Sequence, residues 1–167
     1  SGVRFIMQRL GMSYLKINEK TIWIHASSVG ETKIAINLYE NLSKDSPKSR
    51  FLITTSTSTS TAIIPKNDNI SHMYLPIDWL FATRRFIQFI NPKICILIET
   101  ELWPNLIKVC KQKKIPIVIA NARLSEKTTS NPKFIKNIYR DVLSDIDLIL
   151  CKSERDKDKY IQLGHKD

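Results

Sequence analysis

Residues 93–105 read KICILIETELWPN, an almost wholly apolar run followed at once by two glutamates, a tryptophan and a proline. An uninterrupted apolar run such as residues 94–98 is typical of a strand that is buried on both faces. Strands of that kind belong to parallel sheets whose two faces are covered by helices. Pro104 is tolerated only in the first turn of a helix, so the next predicted element is a helix over residues 102–113.

The rest of the chain repeats this order of strand and helix. Short β-branched runs predict strands at residues 21–26, 50–55, 70–75, 93–98, 115–120 and 146–151. Apolar residues at helical spacing predict helices at residues 3–10, 32–44, 78–90, 102–113, 132–143 and 154–163. Gly164 is expected to cap the last helix. Alternating strands and helices form βαβ units, so the predicted fold class is α/β, a doubly wound parallel sheet.

Length and composition narrow the class of protein. The chain has 167 residues, the size of a single domain, and its 43% of hydrophobic residues argues against disorder. No apolar run reaches the ~18 residues of a membrane-spanning helix. Three widely spaced cysteines, and three histidines without ligand spacing, predict neither a disulfide framework nor a metal site.

The net charge of +10 predicts attraction to anions such as nucleic acid, anionic lipid or a phosphorylated substrate. The basic residues are scattered, and the cluster of lysines between residues 108 and 114 is typical of a solvated helix face. The sequence contains no stacking-aromatic or recognition-helix motif, so we predict no nucleic-acid partner.

Polar residues follow most of the predicted strands. In an open α/β sheet, ligands bind outside the carboxyl ends of the strands. The segments at those ends are HASSVGE (25–31), TTST (54–57), LPID (75–78), ETELWPN (99–105) and NARLS (121–125). They bring carboxylates, hydroxyls, amides and one arginine to a single edge, where we expect a polar substrate to bind. The sequence lacks the P-loop, dinucleotide-binding and serine-hydrolase glycine motifs.

Two interpretations are open for Glu31. Ser28 and Glu31 have the spacing of a capping box, in which the glutamate only bonds the backbone at Ser28, and spacing alone favours this interpretation. The alternative is a general base, because a helix N-terminus stabilises a negative charge and an ionised carboxylate accepts a hydroxyl proton.

Other polar residues carry similar alternatives. Glu99 directly follows a buried strand, where a carboxylate needs a partner, so it either forms an ion pair or belongs to a site. Arg123 either pairs with Glu99 or binds a phosphate. Glu101 is interpreted as a charge in the first turn of the next helix, and Asn105 either packs or contacts substrate. The Ser/Thr tract at residues 54–61 either binds sugar or phosphate or forms caps and turns.

Four segments resemble the bacterial 3-deoxy-D-manno-octulosonic acid (Kdo) transferase family. They are WIHASSVGE (23–31), YLPID (74–78), IETELWPN (98–105) and IANARLS (119–125), in the order and at the separations of the family. The resemblance runs from residue 4 to the end of the chain. One departure follows the second strand, where TTSTSTS (54–60) replaces the family's usual TTxTPTG. Without the proline and glycine we expect a looser loop.

The resemblance implies a GT-B architecture, in which two Rossmann-like domains face each other across a cleft. It implies transfer of Kdo from CMP-Kdo to the lipid A precursor (lipid IVA) in lipopolysaccharide core biosynthesis, at the cytoplasmic face of the bacterial inner membrane. Residues 1–167 correspond to the N-terminal, acceptor-binding domain. We expect the nucleotide-sugar-binding domain and the family's N-terminal membrane anchor to be absent from this chain, and the chain alone to be inactive.

The resemblance also assigns roles to residues. Glu31 matches the catalytic base, and Glu99 matches a residue that stabilises the transition state. Substrate binding is assigned to Ser28, Gly30, Thr55, Thr57, Asn105 and Arg123. The implied partners are the lipid A precursor, CMP-Kdo through the second domain, and an anionic membrane surface, with no cofactor and no metal.

Two alternatives stay open at this point. One is a GT-B transferase that uses another sugar nucleotide, which the nucleotide-binding half would decide. The other is a truncated, non-catalytic remnant that binds lipid A-like molecules without transferring a sugar to them.

Overall fold

A computed structural model describes residues 2–14, 16–125 and 133–165, without the side chains of residues 133–135. The strands are β1 (Thr21–Ala26), β2 (Arg50–Thr55), β3 (Ile70–Tyr74), β4 (Pro92–Ile98), β5 (Ile117–Ala122) and β6 (Leu148–Cys151). The helices are α1 (Gly2–Arg9), α2 (Val29–Asp45), α3 (Leu80–Ile90), α4 (Pro104–Gln112), α5 (Lys133–Leu143) and α6 (Glu154–Gln162). A short 3-10 helix covers Thr59–Ile63.

The six strands form one sheet in the order β3-β2-β1-β4-β5-β6, and every neighbouring pair is parallel. The chain moves outward from β1 to β3, then returns to β4 on the other side of β1. This reversal is the topological switch point of a Rossmann-like sheet, where ligands bind. The predicted α/β, doubly wound fold is confirmed.

Strand β1 lies at the centre and is buried along its whole length. Its side chains alternate, so Ile24 packs in the layer of Tyr39 from α2, while Trp23 packs in the opposite layer with Phe86 and Leu106. The Trp23 and Phe86 rings meet edge to face, 5.2 Å between centroids. Burying each such side chain contributes about 1.5–3 kcal/mol relative to leaving it exposed.

The element boundaries differ from the sequence prediction at the candidate site. Helix α2 begins at Val29, three residues before the predicted start at residue 32, because Ser28 caps it. Helix α4 begins at Pro104, so Glu101 lies outside it and its interpretation as a first-turn charge is wrong. Gly164 adopts φ 95° after α6, which confirms the predicted cap. The predicted start of α5 at residue 132 lies outside the described residues.

Helix α1 covers the edge strand β3. Gln8 Oε1 accepts a hydrogen bond from the Tyr74 amide at 2.9 Å, and Arg4 donates to the His72 carbonyl at 3.1 Å. These bonds satisfy backbone groups that an edge strand otherwise exposes. The turn after α1 needs Gly11, which has φ 78° and lies so close to Ala82 that a Cβ would meet it at 2.9 Å. Among the described helices, none is both long and apolar enough to cross a bilayer.

Candidate active site

The ends of β1, β4 and β5 bring three charged side chains to the carboxyl edge of the sheet. Glu31 follows β1, Glu99 follows β4 and Arg123 follows β5, so the three lie on both sides of the switch point. The fold therefore places the predicted polar segments where open α/β sheets bind their ligands.

Glu31 is fixed at the N-terminus of α2. Its Oε2 accepts a hydrogen bond from the Ser27 amide at 2.8 Å, and its Oε1 accepts one from the Ser28 hydroxyl at 2.8 Å. Glu31 therefore bonds the backbone at the start of the helix, as the capping interpretation predicts, although the amide that donates to it is that of Ser27 rather than Ser28. Glu31 is 9% exposed. Each carboxylate oxygen has a second lone pair, so capping does not prevent this group from accepting a proton.

Ser28 and Gly30 shape the surface beside Glu31. The Ser28 hydroxyl also accepts a hydrogen bond from the Glu31 amide at 3.2 Å, so one side chain fixes both the helix start and the carboxylate. Gly30 lies inside the first turn of α2 rather than in a turn before the helix. A Cβ at this position would meet only the Ser28 hydroxyl, at 3.8 Å. The backbone therefore does not require a glycine there, and its small size leaves the surface open.

Glu99 lies at a backbone position that few residues adopt. It has φ 59°, in the left-handed region, and Asn121 at the end of the neighbouring β5 has φ 57°. The register of β5 against β6 shifts between Ala120 and Ala122, which makes Asn121 the extra residue of a bulge. Non-glycine residues in this region cost about 1–2 kcal/mol and cluster at functional sites. The strand prediction contained no signal for the left-handed backbone of Glu99.

Arg123 pairs with Glu99, and of its two interpretations this contact is the one observed. The Nη1–Oε1 distance is 3.9 Å, and the side chains are 57% and 28% exposed. An exposed ion pair of this length is worth less than about 1 kcal/mol, so an anion can compete for the guanidinium.

A cavity of about 380 Å³ opens beside this pair. Its lining residues are Glu99, Thr100, Glu101, Arg123, Leu124, Ser125 and Tyr139. A larger cavity, about 940 Å³, lies along β6 and α6 and contains none of the predicted site residues. Of the predicted site residues, Glu99 and Arg123 line the smaller cavity, whereas Glu31 does not, so the candidate site comprises this cavity and the neighbouring end of β1.

Glu101 is a member of the site that the sequence analysis missed. Burial raises its pKa, and the charges of Glu31 and Glu99 act in the same direction, while the Ser27 hydroxyl and the Trp103 indole oppose them. Glu101 therefore lies close enough to Glu31 and Glu99 for their charges to raise its pKa. The indole N–H of Trp103 is buried and forms no hydrogen bond of normal geometry within the described residues. Burial by a folded loop, which the sequence does not reveal, distinguishes Glu101 from an ordinary surface glutamate.

Asn105 holds α4 in place. Its side-chain amide donates to the Asp78 carbonyl at 2.6 Å, and the Asp78 carboxylate accepts from the amides of Asn105 and Leu106 at 2.9 Å each. Asp78, which follows β3, therefore caps the N-terminus of α4, although the two are distant in sequence. The structure gives Asn105 this structural contact, and its substrate-binding role stays a prediction.

The Ser/Thr tract is joined by its own hydroxyls. Thr55 is buried and bonds the Thr57 carbonyl at 3.0 Å and His72 Nε2 at 3.0 Å, and its substrate-binding role stays a prediction. Thr57 is exposed and its hydroxyl lies 2.9 Å from that of the buried Ser60. These bonds join the loop at the positions where the family's proline and glycine are missing, and its expected looseness stays a prediction. Among the described residues there is no group of three metal-ligating side chains.

Comparison with known proteins adds an independent observation. Residues 4–167 match the family model described as 3-Deoxy-D-manno-octulosonic-acid transferase (kdotransferase). The chain belongs to this family of glycosyltransferases.

The relatives share this segment and extend well beyond it. The 3-deoxy-D-manno-octulosonic acid transferase of Haemophilus influenzae is 41% identical over 146 residues, 86% of this chain and 34% of that protein. The one of Rickettsia bellii is 36% identical over 165 residues, 97% of this chain and 39% of that protein. A bifunctional glycosyltransferase/methyltransferase of Fusobacterium nucleatum is 32% identical over 164 residues, 96% and 26% respectively. The chain thus spans little more than a third of the length of the two transferases.

The segments that resemble the Kdo transferase family converge in the structure. Those that follow β1, β4 and β5 end at the carboxyl edge, and the one that follows β3 supplies the Asp78 cap of α4. Glu31 and Glu99, the two residues predicted to be catalytic, lie at the switch point of this Kdo transferase domain.

Proposed function

We propose that this chain is the N-terminal, acceptor-binding domain of a Kdo transferase with GT-B architecture. The whole enzyme transfers Kdo from CMP-Kdo to the lipid A precursor in lipopolysaccharide core biosynthesis, and Glu31 is its general base. The observation that carries the proposal is the carboxylate of Glu31, which is fixed by Ser27 and Ser28 at the switch point of a family member.

The chemistry requires such a carboxylate. A sugar hydroxyl is a poor nucleophile until a base takes its proton, and Glu31 accepts that proton as the acceptor oxygen bonds to the anomeric carbon of Kdo. The bond from that carbon to the CMP phosphate breaks in the same displacement, and CMP leaves with the electron pair. The anomeric carbon gains positive charge meanwhile, and the negative charge of Glu99 stabilises it.

The acceptor is a phosphorylated disaccharide lipid, which suits the charges at this edge. The long Arg123–Glu99 contact of 3.9 Å leaves the guanidinium able to bind a phosphate instead. The further candidates for binding are Ser28, Gly30, Thr55, Thr57 and Asn105, while CMP-Kdo binds through the second domain.

An anionic membrane surface is the third proposed partner, at the cytoplasmic face of the inner membrane. The net charge is +10, and Met12, Trp79 and Phe81 are exposed apolar side chains around the start of α3. Arg84 and Arg85 are exposed on the same helix. Aromatic residues next to basic ones are typical of proteins that bind at the membrane interface.

A chimaera tests the enzymatic function. This chain replaces the matching segment of the Haemophilus influenzae relative, and Kdo transfer from CMP-Kdo to the lipid A precursor is measured. We expect transfer by the chimaera and none by the isolated chain. A chimaera that unfolds cooperatively and binds CMP-Kdo, yet transfers nothing, contradicts the proposed function.

Acceptor binding is tested with the chain alone. Vesicles with and without the lipid A precursor, matched for surface charge, are titrated at low and moderate salt. Generic attraction weakens as salt screens it, whereas we expect a preference for the precursor that persists and that Arg123→Ala reduces. Arg50→Ala is the control, because Arg50 is also an exposed arginine in an ion pair, with Glu19 at 2.8 Å, and lies at the opposite edge of the sheet. Equal binding to both vesicles contradicts an acceptor site.

A further inference from the structure

His25 is a fully buried histidine one residue before the end of β1. Its Nδ1 lies 2.9 Å from the Thr54 hydroxyl and 3.2 Å from the Thr54 carbonyl, both on β2. Its Nε2 lies 3.1 Å from the Ser27 hydroxyl. Both ring nitrogens therefore have partners, which a buried polar group needs to offset the loss of water.

These partners belong to a larger polar network between the ends of β1 and β2. Trp23 Nε1 donates to the Thr54 hydroxyl at 2.8 Å, and the Ser27 hydroxyl lies 3.2 Å from that of Ser56. The ring of His25 also meets the edge of Trp103, with 6.1 Å between centroids. The network thus connects three chain segments at the carboxyl edge of the sheet, with His25 at its centre.

The protonation state of His25 follows from its surroundings. Burial lowers its pKa to about 3, so the imidazole is neutral at neutral pH. The Thr54 carbonyl only accepts hydrogen bonds, and we therefore assign the proton to Nδ1. Nε2 is then the acceptor for the Ser27 hydroxyl. In this tautomer Nε2 offers the Ser27 hydroxyl an acceptor, beside the neighbouring Ser56 hydroxyl and the Glu101 carboxylate.

Ser27 is the link between the histidine and the proposed base. Its hydroxyl bonds His25, and its amide donates to Glu31 Oε2 at 2.8 Å. We propose that His25 is a positioning residue for Glu31: by holding Ser27 through Nε2, it keeps the Ser27 amide directed at the carboxylate. The catalytic consequence of this role rests on the proposed function, while the positioning itself does not.

Two substitutions separate this role from simple core filling. The Asn amide reaches about as far as Nδ1, so His25→Asn keeps the Thr54 contact and loses the one to Ser27. The longer Gln side chain places its carbonyl near the position of Nε2, so His25→Gln keeps an acceptor for Ser27. Ser27→Ala is the matched third variant, because it removes the hydroxyl and leaves the amide in place.

The test is an NMR measurement on this chain. We expect ¹⁵N shifts of a neutral imidazole with the proton on Nδ1 from pH 5 to pH 8. We expect the amide of residue 27 to exchange about tenfold faster with solvent in His25→Asn and in Ser27→Ala, the effect of losing a hydrogen bond to a charged group. In His25→Gln we expect its exchange rate to be nearly unchanged. If the amide of residue 27 exchanges at the wild-type rate in folded Ser27→Ala, the proposal is overturned. Equal exchange rates of this amide in folded His25→Asn and His25→Gln overturn it as well.

The active chimaera adds a kinetic test. We expect His25→Asn to lower kcat with little change in KM for the acceptor, and His25→Gln to restore most of kcat. Equal kcat for both variants overturns the catalytic part of the inference. An inactive chimaera contradicts the proposed function instead, and the amide exchange still decides whether His25 positions Glu31.

Discussion

The ends of β1 and β4 each present a glutamate at the switch point, and they hold it in different ways. Glu31 sits on a regular helix start, and side-chain and backbone hydrogen bonds at 2.8 Å fix both of its oxygens. Glu99 is held by its backbone, in the left-handed region with φ 59°, and its carboxylate forms a long ion pair with Arg123 at 3.9 Å.

The difference suits the two proposed roles. A general base must point at one hydroxyl in one orientation, and a carboxylate with both oxygens bonded meets that need. A group that stabilises developing charge acts over a longer distance and tolerates a looser side chain, provided that its backbone holds it near the reacting atoms.

Glu31→Gln is expected to have the largest effect. Gln still accepts from the Ser27 amide, so the fold remains, but it cannot take a proton. Loss of general-base catalysis typically lowers the rate about 10²–10⁴-fold, and we expect that loss in kcat of the chimaera. Glu40→Gln, at an exposed position on the same helix, is the control and leaves kcat unchanged. Near-normal turnover by Glu31→Gln would contradict the general-base role and leave Glu31 with a capping role only.

Two histidines, His25 on β1 and His72 on β3, predict a dependence of stability on pH. Burial lowers the pKa of His25 to about 3 and that of His72 to about 4, from an ordinary 6.5. Below pH 6.5 the unfolded chain binds protons that the folded chain does not, so the free energy of unfolding falls as pH falls from 6.5 towards 4. Each histidine contributes at most about 1.4 kcal/mol per pH unit.

The histidine variants isolate this effect in urea unfolding. The raised pKa of Glu101 makes the free energy of unfolding rise as pH falls, opposite to the effect of the histidines. The pH dependence of each variant is therefore compared with that of the wild type. His25→Gln and His72→Gln should each flatten the dependence between pH 6.5 and pH 4.5. An unchanged slope in His25→Gln shows that His25 is protonated in the folded state, against our account.

The backbone difference between the two ends predicts opposite responses to glycine. Position 31 is helical, so Glu31→Gly should be less stable than Glu31→Ala by about 1 kcal/mol. Position 99 is left-handed, so Glu99→Gly should be more stable than Glu99→Ala by about 1 kcal/mol or more. Urea unfolding of the four variants measures both differences. The same order at both positions contradicts the left-handed backbone of Glu99.

The sequence was sufficient for the architecture and for the general location of the site. Alternating apolar runs predict a parallel sheet, and the carboxyl ends of parallel strands meet at one edge, which places Glu31, Glu99 and Arg123 on the same edge of the sheet. The contacts between distant segments could not be predicted from the sequence. The burial of Glu101 and the contact of Asn105 with Asp78 depend on loops whose paths no local pattern records.

Backbone geometry was also hidden from the sequence analysis. Asn121 was predicted to follow the strand at residues 115–120, yet it lies inside β5 and forms a bulge with φ 57°. Asparagine tolerates the left-handed region better than most residues, which was the only available signal. His25 gave no metal-ligand spacing, and its role in the polar network follows from the pairing of β1 with β2.

Mapping of acceptor binding on this chain tests the central claim most directly. The water-soluble, deacylated lipid A precursor is titrated into ¹⁵N-labelled protein, and the shifts of its backbone amides are followed. Our account predicts saturable shifts at Ser27–Glu31, at Thr100 and at Arg123–Ser125, weakened by Arg123→Ala and retained in Arg50→Ala. Shifts confined to the groove along β6 and α6, or no saturable shifts at all, would contradict an acceptor site at the carboxyl edge of the sheet.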